Sequence, residues 1–324
     1  MTTVRSQIAH RRTVALAALR EYALPAGALR FVNHGENTTF RHESEAGRFL
    51  VRVHRPQRHG RDIDSALAIR SELAWLQALR ASAGLEVPEV LPASDGRAVV
   101  GVEVDGAVLQ CSVLRWMDGR IVEASPRPIH LERVGAAMAE LHRQADAWTR
   151  PAWFTRIHWD HETFFGDVMV HGEVSAGGCW DLLPVALRTR FEAVRERLGP
   201  MLADERDAGL IHADLHLGNA VFEAGRVKLI DFDDCGFGPR IYDVAVALWE
   251  QRDRGDYPRF RDALLAGYRS VRALDTARLD DYIALRQVAF QLWHTGMART
   301  NPAFAERRAQ IEEWSQHMLD VVGA

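Results

Sequence analysis

The hydrophobic period of this 324-residue chain changes once, near Gly119, and that change limits what it can fold into. Before it, apolar residues alternate in short runs: LRFVNH, TTFRHE and RFLVRV between residues 29 and 53, then RAVVGVEV and AVLQCSVLRW. Gly35-Glu36-Asn37, Glu45-Ala46-Gly47 and Asp105-Gly106 interrupt these runs where strands need tight turns. After Gly119, residues 129–148, 181–207, 240–254, 258–272, 276–299 and 303–322 carry the helical repeat. The pattern predicts an α+β chain. A small sheet, with an opening helix over 5–23 and a second helix through Leu67, Leu73, Leu76 and Leu79, precedes a larger helical part. The expected division is 1–117 and 118–324.

One stretch of the helical part breaks the pattern. LIHADLHLGNAVF and RVKLIDFDD, joined by Glu223-Ala224-Gly225, read as short apolar strands that each run into polar residues. Asp214, Asn219, Asp231, Asp233 and Asp234 thus gather at strand ends, where like charges repel unless a cation neutralises them. Phosphoryl transfer from a nucleotide needs a carboxylate to orient the attacking hydroxyl and oxygen ligands to hold magnesium on the phosphates. Asp214, Asn219 and Asp231 supply that set.

The rest of the composition excludes other classes. Formal net charge is −4 with the signs mixed along the chain, so no basic stripe points to nucleic acid. Cys111, Cys179 and Cys235 are too few and too widely spaced for a disulfide framework or a zinc site, and a reducing cytoplasm is expected. Arginines interrupt the opening MTTVRSQIAHRRTVALAALREY where a signal peptide needs an apolar run, and no segment has the length of a membrane span.

HADLHLGN, DFDD and then Tyr242-Asp243 opening a helix resemble the aminoglycoside phosphotransferase and choline kinase superfamily, whose fold is similar to that of protein kinases. The resemblance implies a two-lobed fold with a small β-rich N-terminal lobe, here five strands and a helix, and a larger helical C-terminal lobe. It implies ATP and magnesium as cofactors and a hydroxyl as acceptor. It also implies that Asp214 is the catalytic base, that Asn219 and Asp231 bind magnesium, and that His212 and Asp243 support the catalytic loop. By the same likeness Gly35-Glu36-Asn37 covers the nucleotide phosphates, with Asn37 at the site. Arg115, Trp116 and Met117 form the hinge that meets adenine. His142 is a packing or hydrogen-bonding residue.

RFLVRVHRP looks like the strand that presents a lysine to the α- and β-phosphates, but Arg52 stands there, with Glu72 as its expected partner on the next helix. Lys228 is the sole lysine and lies on the hairpin strand leading to Asp231, in the other lobe. The competing reading of Arg52 is a strand arginine facing solvent between buried Val51 and Val53.

FDDCGFGP and ALRQVAFQLWHTGMARTNPAF are similar to the branch with stress-response serine/threonine kinases and homoserine-kinase-like enzymes, and Trp293, His294 and Arg299 are candidates to line an acceptor pocket. Residues 159–173 are expected either to cover that pocket, with Asp160, Glu162 and Asp167 attracting a cationic acceptor, or to form a solvated acidic loop. The acceptor is then a small molecule such as an amino alcohol, sugar, aminoglycoside or homoserine, or else a serine or threonine of a protein. Two further readings compete: a catalytically silent kinase-fold binding module, and a metal hydrolase built on His212-x-Asp214-x-His216.

Overall fold

The computed structural model describes residues 3–55, 63–82, 84–166, 176–204, 207–299 and 301–323. Helix α1 (Val4–Leu19) opens the chain, and β1 (Ala28–His34), β2 (Thr38–Ser44) and β3 (Gly47–Val53) follow as an antiparallel meander. Helix α2 (Ser65–Arg80) begins at Asp64, whose side chain accepts the Leu67 amide at 2.7 Å. Then come β4 (Val90–Leu91), β5 (Val100–Val104) and β6 (Ala107–Arg115). Asp105 and Gly106 both take positive φ, 53° and 77°, the geometry a two-residue hairpin turn demands.

The sheet order is β1-β2-β3-β6-β4, with β5 also on β6. It therefore has six strands where five were expected, because two-residue β4 is too short to carry an alternation. Of the polar, turn-rich stretch 54–64, residues 56–62 lie outside the described residues.

Beyond Gly119 the chain forms β7 (Arg120–Ile121), α3 (Pro128–Ala147), α4 (His161–Phe165), α5 (Ala176–Trp180) and α6 (Val185–Asp204). Next are β8 (Ala208–Ile211), the hairpin β9 (Ala220–Glu223) and β10 (Arg226–Leu229), and β11 (Gly236–Pro239). Helices α7 (Arg240–Trp249), α8 (Tyr257–Arg269), α9 (Leu279–Met297), α10 (Pro302–Ala305) and α11 (Arg308–Val322) complete the fold. The hairpin adds β7 as a third strand, and β8 pairs with β11. This last ribbon is invisible to alternation because GFGP has one large apolar side chain.

The small-lobe core packs Val14, Ala15, Ala18 and Tyr22 against Phe40, Phe49, Val51, Cys111 and Val113. Apolar residues of α2, in contrast, join the core of the large lobe. Trp75 meets Phe232 edge-on at 5.6 Å and donates its indole N–H to Gln144 at 3.0 Å. Helices α3 and α8 cross backbone to backbone: a β-carbon on Gly135 would lie 2.1 Å from the Leu264 carbonyl oxygen, and one on Gly267 1.9 Å from that of Glu132. Only glycine permits such an approach.

Residues 159–166 form neither a pocket cover nor a solvated acidic loop. Trp159, Phe164 and Phe165 are buried in the large-lobe core, and Asp160 caps α4 by accepting the Thr163 amide at 3.0 Å. Asp167 lies outside the described residues.

Candidate active site

The loop after β8 carries His212 to Asn219, and Asp243 on α7 fixes its start. The buried Asp243 carboxylate accepts the amides of His212 at 2.9 Å and Ala213 at 2.6 Å, and meets His142 Nε2 at 3.0 Å. His142 Nδ1 lies 2.8 Å from the Tyr268 hydroxyl. Ala213 sits in the left-handed region at φ 66°, a conformation that costs a non-glycine residue about 1–3 kcal/mol and persists because Asp243 grips its amide. His212 turns its ring toward the Ile230 carbonyl, 3.0 Å away, and packs on Phe232. Asp214 is thereby aimed into the space between the lobes.

Asp214 Oδ1 accepts from Arg286 at 2.5 Å, and Oδ2 accepts from the Asn219 side-chain amide at 3.0 Å. Burial alone would raise the Asp214 pKa, but Arg286, His216 and His212 hold the carboxyl well below the usual carboxylate range. His216 shows the opposite balance: burial disfavours its charge, yet Asp214, Glu123 and Glu250 raise its pKa well above the ordinary value. The ligand atoms of Glu123, His216 and Glu250 lie within 4.8 Å of one another, and the two carboxylates favour the imidazolium between them.

The second loop follows β10. The Ile230 amide donates to the Asn219 carbonyl at 3.0 Å, which sets Asp231 beside Asn219. Asp231 is left-handed, φ 61°, with its carboxylate about half exposed. Asn219 gives its NH2 to the backbone and side chain of Asp214, leaving a carbonyl oxygen as its remaining donor atom for a cation. That oxygen and the Asp231 carboxylate are the hard ligands magnesium prefers, so the donor set fits the ion.

Arg52 points inward and is 2% exposed, as buried as Val51 and Val53. Its guanidinium donates to Glu72 at 2.5 Å and lies 3.7 Å from Asp231 and 3.9 Å from Asp233. Two arginines, Arg52 and Arg286, thus neutralise part of the acid cluster from within the protein. Arg156, fully buried, holds the framework: it donates to the carbonyls of Cys235 at 2.5 Å, Ala68 at 2.9 Å and Asp233. It therefore fixes the spacing between α2, which bears Glu72, and the loop that bears Asp231.

One cavity of about 1310 Å³ reaches both loops, at Asp214 and Asp231, together with Arg52, Glu72 and Arg286, while His212, Asn219 and Asp243 stand behind its lining. Its inner half is lined by Asn37, Arg52, Glu72, Asp214 and Asp231, with Arg115, Trp116 and Met117 along the hinge. The Arg115 and Trp116 amides are spent on the carbonyls of Glu89 at 2.8 Å and Arg48 at 3.0 Å. Asn37 accepts the Arg55 amide at 3.1 Å and donates to Asp233. Lys228 stays outside the cavity, donating to the Asp118 carbonyl at 2.9 Å and to Glu223 at 2.7 Å.

The outer half is an aromatic wall with acids at its edge. Trp249, Phe290 and Trp314 meet pairwise at 4.9, 5.1 and 5.4 Å, and Asp234, Glu250 and Arg286 also face the cavity. Of the residues expected there, Trp293 does line it. His294 is buried beside Phe304 and Arg299 is exposed, and neither reaches the cavity. Sequence reasoning missed Arg286, Arg156, Trp249 and Trp314. A single arginine in a helical repeat carries no local signature, and ring contacts between three helices leave none either.

A model of the phosphotransferase enzyme family matches residues 28–282. Homoserine kinase of Brucella abortus (strain S19) is 27% identical over 266 residues, spanning 78% of this chain and 73% of the relative. Among solved structures, a microcompartment-associated aminopropanol kinase is similar with a TM-score of 0.80 and 29% identity, covering 96% of this chain and 98% of that one. Amicoumacin kinase hAmiN, solved in complex with AMP-PNP, Ca2+ and Ami, gives a TM-score of 0.75 at 21% identity over 94% and 93% of the two chains, a likeness of fold. The two-lobed kinase-like architecture expected from the motifs is borne out by these neighbours.

Proposed function

The chain belongs to the phosphotransferase enzyme family, and on that premise we propose that it transfers the γ-phosphoryl group of ATP to the hydroxyl of a small amino alcohol. The lobes are residues 1–117, which hold the nucleotide, and 118–324, which supply the catalytic loop and the acceptor wall. The observation that carries the reading is that Asp214, Asp231 and Arg52 face one cavity whose outer half is aromatic and acid-edged. An ammonium group is attracted both by ring faces and by Asp234 and Glu250. The names of two relatives, aminopropanol kinase and homoserine kinase, specify compounds with an amine and an alcohol in one small molecule.

Asn219 and Asp231 hold magnesium in this reading, and the ion supplies charge neutralisation on the phosphates. Arg52, kept in place by Glu72, donates to the α- and β-phosphates as a permanent cation. The Gly35-Glu36-Asn37 turn covers them. With the Arg115 and Trp116 amides already engaged, Met117 offers the hinge amide for the adenine edge. Asp214 accepts a hydrogen bond from the acceptor hydroxyl and aims its oxygen at the γ-phosphorus. The new O–P bond forms as the bond to the β,γ-bridging oxygen breaks, ADP leaves with that electron pair, and Asp214 takes the hydroxyl proton. Because Arg286 depresses its basicity, Asp214 acts first by orientation and receives the proton late.

The test is an ATP-consumption screen with magnesium across amino alcohols, homoserine, sugars, aminoglycosides and a protein acceptor. Amino alcohols are expected to give the highest kcat/KM. Turnover confined to the protein acceptor would overturn the small-molecule reading in favour of a serine/threonine kinase. Absence of any difference between the native chain and Asp214→Asn would mark a silent binding module.

A further inference from the structure

A turn between two surface strands ordinarily leaves its polar side chains in water. In the β1–β2 turn, Glu36 instead is half-buried and reaches across the cleft, where its Oε1 accepts the indole N–H of Trp293 at 2.6 Å. Trp293 belongs to α9, on the acceptor side, and is packed between Phe290 at 5.6 Å and Phe304 at 5.3 Å. Four residues further along α9, on the same face, Met297 Sδ lies 2.9 Å from the Arg55 guanidinium, just past β3. Two turns before Trp293, Arg286 holds Asp214. One stripe of a single helix therefore touches the catalytic loop, the phosphate-covering turn and the small lobe.

The bond is also of the stronger sort. Its acceptor is a carboxylate and its donor an indole fixed by two neighbouring rings, so little side-chain freedom is lost in making it. We propose that Glu36 and Trp293 are a positioning pair, a clasp through which the acceptor wall keeps the phosphate turn closed over the nucleotide. The proposal rests on the nucleotide reading of the cleft given above. Release of nucleotide then requires the clasp to open. A molecule seated against Phe290 restrains Trp293 and disfavours opening, so nucleotide and acceptor bind with positive coupling.

Calorimetric titration of the full chain with AMP-PNP and magnesium tests this in five forms: native, Glu36→Ala, Trp293→Phe, the double variant, and Glu36→Gln. Trp293→Phe keeps an aromatic ring in the packing and deletes only the donor. Each of the first two single changes is expected to weaken AMP-PNP binding about tenfold, the scale of one hydrogen bond to a charged group. The double variant should be no weaker than either single one, and Glu36→Gln, which still offers a carbonyl oxygen, should keep most of the affinity. Hydrogen exchange in the β1–β2 turn should quicken in the same two variants. Dissociation constants within twofold of native for both single variants, or losses that multiply in the double variant, overturn the clasp. So does a lower Tm with unchanged AMP-PNP affinity, which marks a merely structural pair. A native chain that binds no AMP-PNP sinks the nucleotide reading and the clasp with it, whereas native binding with unmoved variants sinks the clasp alone.

Discussion

The inner and outer halves of the cleft are built on different principles. The inner half joins two short loops to charged side chains on β3, α2 and α7 that each answer to several partners: Arg52 to Glu72, Asp231 and Asp233, and Asp243 to two amides and His142. The outer half is made from rings on α7, α9 and α11 that touch one another at 4.9–5.4 Å. Phe290 or Trp314 can be exchanged there without stranding a charge, whereas Trp249 lies under the Arg286 guanidinium and Trp293 holds the Glu36 carboxylate. In the proposed reading, donor chemistry is set mainly by fixed electrostatics and acceptor choice mainly by shape, and α9 joins the two through Trp293.

Point substitutions put that contrast to the test. The largest effect is expected for Asp214→Asn, which keeps size but removes the proposed base and one of its two acceptor oxygens. Turnover should fall about a thousandfold while AMP-PNP affinity measured by calorimetry stays within a few-fold. Arg52→Ala strands the buried Glu72 and should cost about 3–5 kcal/mol in a urea unfolding titration, together with most nucleotide affinity. Arg52→Lys should restore part of both. An unchanged unfolding midpoint for Arg52→Ala would show that the inner half is less tightly coupled than its geometry implies.

Trp314→Ala is the matching cut in the outer half. Steady-state kinetics should show acceptor KM raised by about tenfold or more with the ATP KM unmoved. An equal rise in both constants would erase the separation. The smallest effect belongs to Asp160→Ala, which removes the cap of α4: thermal unfolding should register a loss of about 1 kcal/mol, with acceptor KM unaltered. A raised KM there would return residues 159–166 to the acceptor site.

The same contrast explains what could be read from the sequence. Asp214, Asn219 and Asp231 stand at fixed short spacings after apolar strand runs, because neighbouring loops must present them together. The β-period of the first third and the helical period of the remainder gave the layers. Where a residue works through contacts distant in the chain, the sequence is silent. Arg286 is 72 positions from Asp214, and Arg156 binds carbonyls 77 to 88 positions away. The ribbon of β8 and β11 escaped for a different reason, since its glycines hide an alternation. Asp160 and Glu162 show the reverse error: acids that resemble a charged lure serve a helix end instead, or stand beside it.

The glycine crossing of α3 and α8 acts as a caliper on the chemistry. Tyr268 follows Gly267, its hydroxyl meets His142 on the partner helix, and His142 in turn meets the carboxylate that anchors the loop of Asp214. Any side chain forced into that crossing would spread the two helices, and the displacement would travel through three hydrogen-bonded groups to the loop of Asp214, the proposed base. Inherited change at a point far from any ligand would then surface as slow catalysis in a protein that still folds and still holds its nucleotide.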